Sequence, residues 1–135
     1  SDWEKLGLPI SRKEIANWHI KSAQYYLKPL YSLLSDILRE QSVLHADETS
    51  YRVLESDTNL TYFWTFLSGK NEEHGIILYH HNQRRNGQVA KEVLCDFKGY
   101  LHCDMWSAYR SLDEDEVTLV GCWAHVRRKF FEATP

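Results

Sequence analysis

The chain has 135 residues, enough for one domain with a real core, and 43% hydrophobic and 13% aromatic content excludes a disordered polypeptide. A net charge of −3 argues against a non-specific nucleic-acid coat protein. It does not exclude an enzyme that holds cations on central carboxylates and keeps basic residues around the rim. Apolar runs of only a few residues give no membrane-spanning helix, and SDWEKLGLPIS lacks the basic start and apolar block of a signal peptide. Three cysteines, Cys95, Cys103 and Cys122, cannot all pair in one chain, and such sparse cysteine suits a reducing cytoplasm.

Taken from the N-terminus, residues 1–41 read as a helical lead-in. Ser11 and Glu14 have capping-box spacing, with Ile10 positioned as a staple just before them. Over residues 22–39 the apolar positions Ala23, Tyr26, Leu27, Leu30, Leu33, Leu34, Ile37 and Leu38 keep a period near 3.6. Pro29 should kink this stretch or begin its second half.

After Gln41 the period changes. Residues 43–47 read as a strand that resumes over 51–54, followed by a turn at 55–59. TYFWTFL, residues 61–67, is a second strand by β-propensity, and residues 76–80 form a third. Short turns link the three, so they should form an antiparallel meander. Asn86 can cap a helix whose stripe runs through Val89, Ala90, Val93, Leu94 and Phe97, with Lys98-Gly99 ending it. YLHCD, residues 100–104, is a fourth strand, and residues 106–112 a short helix before the acidic loop DEDE. Residues 117–121 make strand five, and 123–133 the last helix.

The order is helices, then β-β-β-α-β-α-β-α. It predicts an α/β fold in which residues 42–135 form a mixed sheet flanked by helices, as in the ribonuclease H-like architecture.

Two of these strands end in an aspartate. If strands one and four are neighbours, Asp47 and Asp104 meet, and two carboxylates in contact repel unless they share a proton or bind a cation. Mg²⁺ suits such a pair, because it takes oxygen ligands and is commonly held by one or two carboxylates plus phosphate. Capping is the commoner role for an aspartate at either position. Glu48 should face away from Asp47, since consecutive strand residues point to opposite sides, and reads as a solvated or hydrogen-bonded carboxylate.

Cys122 and His125 have the i, i+3 spacing that puts a thiol and an imidazole on one helical face. His102 or Cys103 could complete a zinc site, but two ligands at that spacing are no zinc signature, and a buried thiol beside a hydrogen-bonded histidine is the simpler reading. His80-His81 and Arg84-Arg85 fall in a loop where they could touch phosphate. Arg127, Arg128 and Lys129 could contact a DNA backbone or simply form an exposed helical face.

Three strings, LHADETSYRVL, FKGYLHCDMWSAYRSL and VGCWAHVRRKFFEA, resemble in order and spacing the central part of transposases of the insertion-sequence-66 family, as does the lead-in LPISRKEIANW. The resemblance covers essentially the whole chain. It implies a bacterial DDE transposase with a ribonuclease H-like core, in which Asp47 matches the first catalytic aspartate and Asp104 the second. It implies Mg²⁺ or Mn²⁺ as cofactor, two ions in the full-length enzyme, with transposon ends and target DNA as partners and a homo-oligomeric assembly. Cys122 and His125 look like the C-x-x-H signature of several such families, a motif whose chemical role is less defined. Arg84, Arg85, Arg127, Arg128 and Lys129 become candidate backbone contacts.

The family's final catalytic glutamate lies in a D-N-N-x-x-E-R string, and none occurs in these 135 residues. Glu132 does not match that motif and is not assigned the role. The chain therefore reads as a catalytic-core fragment with little strand transfer of its own. Two other readings stay open: another ribonuclease H-like nuclease, and a non-catalytic interaction module. The module requires Asp47 and Asp104 to lie apart or to be capped with no room for metal.

Overall fold

Ser11 starts the first long helix by the expected reciprocal capping: its backbone N–H donates to the Glu14 carboxylate at 2.7 Å, and its hydroxyl accepts the Glu14 N–H at 3.2 Å. A computed structural model describes residues 2–53, 60–112 and 116–133. In it α1 (Asp2–Lys5) precedes α2 (Arg12–Ser22), a π-helical turn (Ala23–Leu27) and α3 (Lys28–Arg39). The disturbance expected at Pro29 takes the form of that π turn. Proline has no N–H to donate, and its ring crowds the carbonyl four residues back. One wider turn just upstream, where Lys28 N–H bonds to Ala23 O, supplies the extra room.

The chain divides into two compact units, residues 1–33 and 34–135, with the boundary inside α3. The second unit contains β1 (Val43–Tyr51), β2 (Thr61–Ser68), β3 (Ile77–Asn82), α4 (Gly87–Val93), β4 (Gly99–Cys103), β5 (Val117–Gly121) and α5 (Trp123–Glu132). The five strands form one mixed sheet in the order β3-β2-β1-β4-β5. The first three are an antiparallel meander, while β4 runs parallel to β1 and β5 parallel to β4. The fold is α/β.

Alternation sets the two faces of the sheet. Leu44, Ala46, Trp64, Phe66, Leu78, Leu101 and Cys103 are buried on one face. With the α4 stripe of Val89, Ala90 and Val93, and with Leu94, Phe97 and Tyr109, they make the core. Tyr109 and Trp106 join Trp64 in an aromatic cluster, with Tyr109 and Trp64 ring centroids 6.2 Å apart. His45 and Asp47 project from the opposite face.

Strands β2, β3 and β4 shift by one or two residues from the sequence reading, and three differences go further. β1 runs unbroken through Glu48–Ser50, because β2 pairs with it as far as Tyr51. The α4 helix stops at Val93 rather than Phe97: Asp96 takes a left-handed φ of 62°, so Leu94 and Phe97 reach the core through a turn. Residues 106–112 form turns and a single 3₁₀ turn, Tyr109–Ser111, instead of an α-helix. Here the chain must aim Tyr109 inward, and Met105 enters the segment at a φ of 62°. Leu54, the turn at 55–59 and residues 113–115 of the acidic loop lie outside the described residues. Among the described residues no helix is long and apolar enough to cross a membrane.

Candidate active site

Strand β4 pairs with β1 only over Val43–His45, so beyond His45 the β4 side of β1 is open. Asp47 sits at this opening, mid-strand in β1 but just past the last residue that β4 reaches. The paired residues are Val43 with Tyr100, Leu44 with Leu101 and His45 with His102. Carried two residues further, the same offset puts Asp47 opposite Asp104, the first residue after β4. Both aspartates line one open cavity of about 650 Å³.

The two carboxylates are held differently. Asp47 is exposed and its Oδ1 accepts the backbone N–H of Glu48 at 3.0 Å. Asp104 Oδ1 accepts the Trp106 N–H at 2.8 Å, the turn-capping role open to it in sequence, and its Oδ2 lies 3.5 Å from the Arg85 guanidinium.

Glu48 faces away from Asp47, as expected, and of the two roles open to it in sequence it takes the hydrogen-bonded one. Its side chain is 2% exposed, on the core face opposite Trp64. An ionised carboxylate buried so deeply costs several kcal/mol unless paired. The pairing is dense: Arg85 Nε donates to Oε1 at 2.7 Å, a second Arg85 nitrogen reaches the same oxygen, and the Tyr109 hydroxyl donates to Oε2 at 2.9 Å. Burial, and next the Glu48 charge, push the Tyr109 phenol well above its usual range. Trp106 covers the other face of the guanidinium, 4.1 Å from ring centroid to Cζ. A signal for Glu48 existed: with Leu44 and Ala46 it occupies every second position of a buried stripe.

Cys122 and His125 also line the cavity together, although Cys122 stands just before the helix and not within it. Cys122 is the N-cap of α5, its N–H bonded to Cys103 O at 2.9 Å where β5 ends beside β4, and His125 N–H returns to Cys122 O at 3.1 Å. His125 Nδ1 is buried with no hydrogen-bond partner among the described residues. A smaller adjoining cavity is bordered by His45, His102, both aspartates, Cys122 and His125. In it His45 Nδ1 and His102 Nδ1 stand 3.0 Å apart. Burial, and then His102, hold His45 below the ordinary histidine range, while burial raises the Cys103 thiol. Among the described residues no group of three or more His, Cys, Asp or Glu is arranged to hold a metal.

The basic residues divide. Arg85, Arg128 and Lys129 line the large cavity, as does Glu132, whose carboxylate is 3.4 Å from Lys129 Nζ. Arg84 and Arg127 do not border it. The Arg84 N–H donates to the Asn82 side chain at 2.9 Å, and the Arg127 guanidinium lies over the Phe131 ring at 4.3 Å.

Comparison with known proteins gives the family. The model of the transposase IS66 family matches residues 1–135, and the chain belongs to that family. Among similar proteins of Sinorhizobium fredii (strain NBRC 101917 / NGR234), uncharacterized protein y4qI is 26% identical over 93% of this chain and 26% of its own length. Uncharacterized protein y4jD is 27% identical over 93% of this chain and 27% of its own length. The chain thus spans about a quarter of the length of these relatives. No solved structure matches it.

Proposed function

We propose that this chain carries part of the ribonuclease H-like catalytic core of a DDE transposase, acting on DNA by metal-dependent phosphodiester chemistry. One observation carries the reading: Asp47 and Asp104 occupy positions matched by the parallel register of β1 and β4 and line the same cavity. The strand order β3-β2-β1-β4-β5 and membership of the transposase family support it. The interaction-module alternative needs the aspartates to lie apart or to be capped with no room for metal. Asp104 does cap the turn at Trp106, but both aspartates line one open cavity of about 650 Å³, which speaks against that alternative.

The donor set fits a hard cation. Mg²⁺ or Mn²⁺ needs one or two carboxylates, with water and phosphate completing its octahedron, whereas structural zinc needs a closed set of four ligands. Asp47 and Asp104 would hold the ion, one of two in the full-length enzyme. When bound, it lowers the pKa of the attacking oxygen and neutralises charge on the phosphate.

The reaction class is hydrolysis at a transposon end followed by transesterification, in which the freed 3′-hydroxyl attacks target DNA. No covalent protein intermediate is required. Arg128 and Lys129 bind the DNA backbone at the cavity wall, and Arg84 and Arg127 extend that contact outside it. Glu132 borders the cavity but does not match the family's final-glutamate string, so the chain alone holds the cation weakly and does not join strands. Strand transfer belongs to a homo-oligomeric full-length assembly.

The test is a Mn²⁺ titration of isotopically labelled protein followed by NMR. Paramagnetic broadening should centre on residues 47 and 104 and disappear in Asp104→Asn. Broadening that persists in that variant would remove the site.

A further inference from the structure

The Glu48–Arg85–Asp104 chain of charges has an order in it. Arg85 reaches toward both carboxylates, but its bonds to Glu48 are the close ones, Nε at 2.7 Å and a second nitrogen nearer still, while Asp104 stands off at 3.5 Å. Glu48 is fixed in turn by the Tyr109 hydroxyl at 2.9 Å, and Tyr109 is fully buried. Trp106 supports the guanidinium from its ring face, and the Trp106 N–H holds Asp104 Oδ1. Every part of this cluster apart from Glu48 and Arg85 comes from the segment just after β4.

A guanidinium and a divalent cation compete for the same carboxylate oxygen. A positive charge within ~4–6 Å of a carboxylate stabilises its anion, but the same charge repels a metal ion brought to it. Were Arg85 paired with Asp104 in the bidentate geometry that arginine favours, Asp104 would be a poor metal ligand. We infer that Glu48 is a positioning residue that acts through Arg85, keeping the close bonds of the guanidinium on itself so that Asp104 has only a long one, at 3.5 Å, and stays available to a divalent cation. The inference rests on the metal-site reading of Asp47 and Asp104. It gives Arg85 an internal task in place of the DNA contact expected from sequence.

The mechanism dictates an unusual pattern of second-site rescue. In Glu48→Gln the anchor loses its charge while keeping its shape, Arg85 turns to Asp104, and Mn²⁺ affinity should fall by about tenfold. Removing the competitor as well, in the Glu48→Gln/Arg85→Gln double variant, should return Mn²⁺ affinity to the wild-type level or above. The double variant exchanges an ion pair whose carboxylate alone is buried for a neutral hydrogen-bonding pair, so it is the safer of the two to fold. Arg85→Gln alone should bind Mn²⁺ no more weakly than wild type. A purely structural role for the pair would instead make all three variants weaker. Mn²⁺ titrations of the wild type, these variants and Asp104→Asn decide the matter, with far-UV circular dichroism as the check on folding. Wild-type binding that Asp104→Asn abolishes, together with an unaffected Glu48→Gln or an unrescued double variant, overturns the inference and leaves the metal site standing. Wild-type protein with no Asp104-dependent Mn²⁺ binding removes the metal site, and this inference with it.

Discussion

Tyr109 donates its hydroxyl to the buried carboxylate of Glu48 at 2.9 Å, tying the loop after β4 to the core face of β1. The bond joins residues 61 apart in sequence. Hydrogen bonds to charged groups contribute about 1.5–3 kcal/mol. Tyr109→Phe should therefore lower unfolding free energy by about 2 kcal/mol, read from the urea midpoint at unchanged m-value. An equal midpoint would mean that the hydroxyl contributes nothing to holding Glu48. The raised phenol also sets an alkaline limit. The folded state keeps its proton above the ordinary value of 10.0 and the unfolded state does not, so stability should fall as pH climbs past that value.

His45 and His102 face each other across the parallel pair with their Nδ1 atoms 3.0 Å apart, so one ring donates and the other accepts. A second proton at this contact would make the acceptor ring a cation and break the bond. Burial first, and His102 second, depress the His45 value below 6.5. The folded state thus binds fewer protons than the unfolded chain in this window. The His45 contribution is intact above pH 6.5 and is lost as pH falls through the depressed folded value. NMR titration should find the His45 imidazole below an unhindered histidine, and His102→Asn should move it only part of the way back, because burial is the larger cause. Full return would assign the shift to His102 alone.

Much of the sheet was legible because each strand is bounded by turn residues and carries its own β-propensity: the sequence reading of β5 agrees with the observed Val117–Gly121 at both ends. The two aspartates stood out in sequence for a related reason, since each follows an apolar run. A further regularity was there to be read: His45-Ala46-Asp47 and His102-Cys103-Asp104 repeat His-x-Asp on the two strands that lie in register. What escaped was set by tertiary contact. The burial of Glu48 depends on Arg85 and Tyr109, neither near it in sequence. The 3₁₀ turn at Tyr109 and the early end of α4 turn on left-handed backbone at Met105 and Asp96, where side-chain periodicity carries no information.

The three thiols should separate by reactivity. Cys95 is exposed, Cys122 is half-buried at the N-cap of α5, and Cys103 is buried with its thiol raised by desolvation. The thiolate is the reactive form, so access and charge act together. Iodoacetamide under native conditions should modify Cys95 first, Cys122 more slowly and Cys103 only on unfolding, as followed by peptide mass spectrometry. Early modification of Cys103 would contradict its place beneath the sheet.

Gly99 opens β4 at a φ of 151°, a region that side chains rarely adopt, and a Cβ there would stand 2.3 Å from the Ser42 carbonyl oxygen. That oxygen, on the residue just before β1, is itself committed, accepting the Tyr100 N–H at 2.9 Å. Neither side can yield cheaply. The obstructing atom is backbone, and moving it breaks the pairing that carries Asp104 to Asp47. Gly99→Ala should therefore cost about 2 kcal/mol or more from combined strain and clash. Its sharper signature is positional: because the register of β4 on β1 is disturbed, hydrogen exchange at Leu101–Cys103 should accelerate more than in the β2–β3 hairpin. A uniform loss of protection would place the damage in the whole sheet rather than at the strand pair that assembles the site.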